Sequence, residues 1–99
     1  GMIPVAKLFF NLVADLVEKD KITGEEIEKL KTKKYTKTLF KSTDYPAIAN
    51  NRNDNMGNST QKRYRAKEIK FNGTDIFIST QFFDSDREAV IDWYKNHLN

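Results

Sequence analysis

The stretch RAKEIKFNGTDIFIST, residues 65–80, decides the reading of this chain. Asn72-Gly73 suits a two-residue turn in which both central residues need positive φ, and residues of alternating polarity flank it. The pattern predicts a β-hairpin with strands over 65–71 and 74–80. Counting outward from the turn, Phe71 faces Thr74, Ile69 faces Ile76 and Lys67 faces Ile78, on the side that must meet the core. The other side pairs Lys70 with Asp75 and brings Glu68 near Phe77; opposite charges directly across from each other favour this register.

Upstream, Val5, Leu8, Phe9, Leu12, Val13, Leu16 and Val17 recur at three- and four-residue spacing. They predict an amphipathic helix from Pro4 to Lys19, with proline at the first helical position. Asn11, Asp15 and Glu18 interrupt its apolar run, so it reads as neither a signal peptide nor a membrane span. Lys21-Ile22-Thr23 leaves room for a stub of strand. Thr23 and Glu26 have capping-box spacing, and Ile22 and Ile27 stand where a hydrophobic staple would. A second helix is expected over Gly24 to Thr32. Lys33-Lys34-Tyr35 then reads as a turn, Thr36 as an N-cap, and Lys37 to Ser42 as a third helix, stopped by Asp44-Tyr45-Pro46. Two short helices joined in this way are a helix-turn-helix candidate.

Residues 50–61 are rich in asparagine with only Met56 apolar, and read as a polar, mobile loop. After the hairpin, Ser85 and Glu88 again have capping-box spacing. Ala89, Val90, Trp93, Tyr94 and Leu98 form the stripe of a last helix. The expected fold is α+β and winged-helix-like: three helices, then a β-hairpin and a C-terminal helix, in a single domain over 2–99. A different small α+β arrangement, with the hairpin packed across the first and last helices, is the alternative. Gly1 ahead of Met2 reads as a cleavage scar and is set aside.

The chain has 99 residues, enough to bury about 65% of its unfolded surface, and its twelve aromatic residues supply a core without disulfides. The absence of cysteine removes thiolate zinc sites and thiol nucleophiles and fits a cytoplasmic setting. His97 stands alone near the end and reads as solvated. Asp84, Asp86, Glu88 and Asp92 look like a carboxylate cluster, but Asp84 and Asp86 lie at a helix start, where the dipole favours acids. No nucleophile elbow or phosphate loop is present. The expectation is therefore a module that is not an enzyme, with no catalytic residues, cofactor, metal or small-molecule substrate.

The net charge of +3 hides an asymmetry. Residues 29–70 hold twelve Lys/Arg against three acids, a net +9, while the remainder is −6. Such segregation produces a one-sided field suited to a polyanion. The residues placed to contact DNA are Lys33, Lys34, Thr36, Lys37 and Lys41 on the turn and third helix. Arg52, Lys62, Arg63, Arg65 and Lys67, on the loop and first strand, join them. Lysine in place of Arg or Gln on the third helix points to phosphate contact more than base readout. The alternative is a protein–protein adaptor using aromatics left over from the core: Tyr64, Phe77, Phe82 and Phe83.

Over residues 22–95 the chain resembles a small winged-helix-like domain found at the C-terminal ends of bacterial restriction-type and other defence nucleases. The matching positions are Lys33-Lys34-Tyr35-Thr36 with Phe40, Tyr45-Pro46, Arg63-Tyr64, Ile69 with Gly73, Gln81-Phe82-Phe83 and Trp93. The resemblance implies an accessory module that binds DNA or a partner, separate from any nuclease active site. Here that region has only one helix in front of it.

Overall fold

A computed structural model describes residues 2–99. Within them lie α1 (Val5–Glu18), α2 (Gly24–Leu30), α3 (Lys33–Leu39), β1 (Ile48–Ala49), β2 (Ile69–Phe71), β3 (Thr74–Ile78) and α4 (Arg87–Leu98). A single 3-10 turn, Asp84–Asp86, leads into α4. The fold is α+β, with four helices and a three-stranded antiparallel sheet ordered β1-β3-β2.

The apolar face of α1 buries Phe9, Val13 and Leu16 completely. Its end is closed by Asp20 at φ 55°, with the Lys21 N–H donating to the Leu16 carbonyl and the Asp20 N–H to that of Val17. This is a Schellman closure with aspartate in the place glycine usually takes. Phe9 then touches Phe40, Phe82 and Trp93, with ring centroids 5.4, 4.8 and 5.1 Å away. One α1 side chain thereby joins the ends of α3, the hairpin exit and α4.

At the start of α2 the Thr23 hydroxyl accepts the Glu26 N–H at 3.1 Å, as its spacing predicts. The reciprocal half of the capping box does not form. The Glu26 carboxylate turns inward instead, where both oxygens lie 2.9 Å from the donating Tyr35 hydroxyl. One of them also accepts the Trp93 indole N–H at 2.9 Å and lies 3.7 Å from His97 Nε2. Glu26 thus binds α2 to α3 and α4. His97 is not solvated as expected: its ring packs on Trp93, and Nδ1 sits 2.9 Å from the Trp93 carbonyl.

The third helix begins earlier than its sequence suggests. Thr32, not Thr36, is the cap, with its hydroxyl accepting the Tyr35 N–H at 3.3 Å. Lys33-Lys34-Tyr35 is the first helical turn, and only Lys31-Thr32 connects α2 to α3. Thr36 is fully buried: its hydroxyl donates to the Thr32 carbonyl at 2.7 Å and accepts the Ala47 N–H at 3.1 Å. The helix ends at Leu39, because Phe40 adopts an extended conformation that drops its ring into the core.

The hairpin keeps its turn and its inner register. Asn72 and Gly73 have φ of 50° and 79°, and Ile69, Lys70 and Phe71 pair with Ile76, Asp75 and Thr74. The Lys70–Asp75 ion pair forms at 2.6 Å. Lys67, however, does not face Ile78. Tyr64 pairs with Ser79, and the Arg65 N–H donates to the Ile78 carbonyl at 2.9 Å. Two extra residues are therefore accommodated between Tyr64 and Ile69, and Ala66 and Lys67 bend outward, exposed. The bulge keeps a lysine off the core face and brings the buried Tyr64 ring in.

No strand forms at Lys21-Ile22-Thr23. The third strand is Ile48–Ala49, after α3, paired with Ile78 and Phe77 along the free side of β3. Its two residues are buried and too few to show alternation, so periodicity gives no sign of them. The expected Ser85 cap is also absent. The Ser85 hydroxyl meets that of Ser42 at 2.5 Å, while the buried Asp86 carboxylate accepts the backbone N–H groups of Ser42 (3.1 Å) and Phe83 (3.2 Å).

Glu26→Ala leaves the Tyr35 hydroxyl and Trp93 indole without their acceptor, and is expected to cost about 2–3 kcal/mol. Urea unfolding measures this, and a loss below about 0.5 kcal/mol, within the range of ordinary surface changes, contradicts the assigned role.

Candidate nucleic-acid interface

Successive residues of a helix are about 100° apart, so Lys33, Lys34 and Lys37 share one arc of α3. The partly buried Tyr35 and Leu39 lie on the opposite side, with the buried Thr36 at its border, which turns the lysines toward solvent. Lys33 and Lys34 are exposed and have no carboxylate partner among the described residues. Lys37 differs: its ammonium is held 3.1 Å from Asp44 and 3.1 Å from the Lys41 carbonyl, so part of its charge is already answered. Lys41 lies beyond the helix end, exposed. Thr36 leaves the set of phosphate contacts, since its hydroxyl is enclosed and occupied in both directions.

The Lys37–Asp44 pair brings the α3 face to the segment that carries Tyr45. The Arg63 guanidinium lies over the Tyr45 ring, 4.7 Å from its centroid, and Arg65 lies over Phe10 at 5.2 Å. Neither arginine has a carboxylate partner among the described residues. A continuous run of contacts therefore links α3, Asp44-Tyr45 and the Arg63–Arg65 segment. Lys67 stands on the bulge, at 4.0 Å from Glu68. Arg52 is exposed on the loop, and Lys62 bonds the Asn53 side-chain carbonyl.

The loop over 50–61 is a series of turns with its own ties. Asn55, at φ 62°, donates from its amide to the Tyr64 hydroxyl at 2.8 Å, and that hydroxyl donates to the Pro46 carbonyl at 2.9 Å. Tyr64 thereby ties the loop that follows β1 to the segment before it. The two arginine–ring stacks and this tyrosine tie escape a reading by spacing, because the partners are 18, 55 and 9 residues apart in a chain without local periodicity.

Of the aromatics proposed as a leftover patch, Tyr64 is buried and Phe82 packs on Phe9 and Phe40. Phe77 is half-buried, and Phe83 is 53% exposed. Among the described residues, no group of His, Asp and Glu side chains is arranged to hold a metal ion, and no helix is long and apolar enough to cross a membrane. Compared with family models, curated proteins and solved structures, the chain finds no match.

Two phenols in this frame hold their protons to high pH. Burial, followed by hydrogen bonding to the Glu26 carboxylate, pushes Tyr35 up to about 12. Burial likewise takes Tyr64 to about 12, with the charges of Asp54 and Tyr45 adding to it and the Asn55 hydrogen bond opposing it. In the unfolded chain both ionise near 10.0. The folded state therefore binds more protons between these values, so their contribution to stability is whole below pH 10 and lost as pH rises through 12. Stability is expected to fall across this window, and less steeply in Tyr64→Phe. Phenolate absorbance from all four tyrosines near pH 10 in a chain still folded by circular dichroism contradicts the assignment.

Proposed function

We propose that this chain is a non-enzymatic accessory module that binds duplex DNA through phosphate contacts, with the outward face of α3 as its centre. The observation that carries the reading is the pair Lys33 and Lys34. They stand exposed on the first turn of a helix whose other side is anchored in the core, without a carboxylate among the described residues to neutralise them. The segregated charge of residues 29–70 supports it, since a one-sided positive field accelerates and orients encounter with a polyanion. The succession α2, α3, hairpin supports a winged-helix-like use of α3 as the element laid against DNA. The resemblance to nuclease accessory domains favours the same role.

Lysines act as flexible point charges and discriminate bases poorly, so contact of this kind is insensitive to sequence. Lys33, Lys34 and Lys41 are the phosphate contacts on this face. Lys37 contributes less, because Asp44 competes for it. A second reading, a docking surface for a protein partner, rests on Phe83, whose exposed ring is not needed to fill the core.

Binding to a mixed-sequence duplex should weaken linearly on a logarithmic salt scale. Lys33→Glu/Lys34→Glu is expected to reduce affinity by roughly tenfold or more and to flatten the slope by about two units. Fluorescence anisotropy across a salt series reads both. Wild-type chain that leaves the duplex free at low salt, or a double variant with unchanged slope, overturns the proposal.

A further inference from the structure

We infer that Arg63 and Arg65 form a clamp for successive phosphates of one nucleic-acid strand, an inference that rests on the nucleic-acid reading above. Around Tyr64 the chain is a short extended segment: the Thr80 N–H donates to the Arg63 carbonyl and the Arg65 N–H to the Ile78 carbonyl, both at 2.9 Å. Side chains alternate along such a segment. Tyr64 points into the core, so Arg63 and Arg65 leave on the opposite face, two residues or about 6.6 Å apart.

Each guanidinium lies over a ring, Arg63 over Tyr45 and Arg65 over Phe10. Arg63 Nε is buried and makes no hydrogen bond among the described residues. The ring contacts restrain the side chains without using their hydrogen-bonding capacity, because an aromatic face attracts a cation but accepts no strong hydrogen bond. What remains is a pair of planar donors restrained before any ligand arrives, with no carboxylate among the described residues to hold them. A guanidinium so restrained presents two parallel N–H groups to the oxygens of a phosphate and gives up little rotamer freedom on binding. The lysines of α3 lack this restraint. The two sets therefore divide the work: α3 supplies diffuse attraction, and the arginine pair fixes the register of one strand.

The division has a direct test in Arg63→Lys/Arg65→Lys, which preserves net charge and removes the planar fork. Wild-type and variant are compared by anisotropy across a salt series, on a mixed-sequence duplex and on one of its strands alone, with thermal melting to confirm that the variant is folded. The clamp predicts affinity reduced by about tenfold on both ligands with the salt slope unchanged, since the number of cations is the same. The single variants each show part of that loss. If the folded double variant binds as tightly as wild type, the clamp is wrong while the α3 proposal stands. A parallel loss of affinity and salt slope also overturns it, because a slope that falls at constant charge means that the number of phosphate contacts has changed and not only their geometry. Wild-type chain that binds neither ligand at low salt overturns both readings.

Discussion

The fold depends on the Glu26 carboxylate. Three short helices would otherwise meet through few side chains: α2 and α3 are seven residues each, below the length at which helices are stable alone. A largely buried carboxylate is costly to desolvate, and the cost is met only when its lone pairs are taken by donors of good geometry. Tyr35 and Trp93 provide them, one from α3 and one from α4. The same indole lies against Phe9, so the polar joint and the aromatic cluster share a side chain and reinforce one another. Consequently α3 is fixed in orientation as well as in place, with Thr36 inside and Lys33 and Lys34 outside.

Much of the fold was legible in the sequence where the determinants were local. Asn72-Gly73 needed only its own backbone to specify the turn, and Thr23 needed only Glu26 three residues on. The α1 stripe followed from periodicity. The failures share a physical cause. Thr32 and Thr36 are equally good caps by composition, and what separates them is the buried Ala47 N–H that Thr36 satisfies from eleven residues away. Glu26 was assigned to a local capping box when two distant donors outcompeted the Thr23 N–H. Lys67 was placed on the core face because strict alternation was assumed through a bulge that only the burial of Tyr64 explains. His97 reads as solvated from its lone place near the end, a reading that leaves out the Trp93 ring one helical turn before it and the Glu26 carboxylate from another helix.

The candidate interface was legible in its charge and not in its geometry. Counting basic residues located the +9 segment, but could not distinguish Lys37, engaged by Asp44, from Lys33 and Lys34. Nor could it show that Arg63 and Arg65 are supported from beneath by Tyr45 and Phe10. Those differences decide which cations are free to displace counterions from a phosphate backbone and which are already compensated.

The most direct measurement of the central claim is amide chemical-shift mapping of the whole chain during titration with a mixed-sequence DNA duplex. The account predicts that the largest changes fall on residues 33–41 and 63–65, with the exposed ring of Phe83 left unperturbed. Changes concentrated at Phe83 and the chain's N-terminal residues, or no changes at low salt, would contradict it.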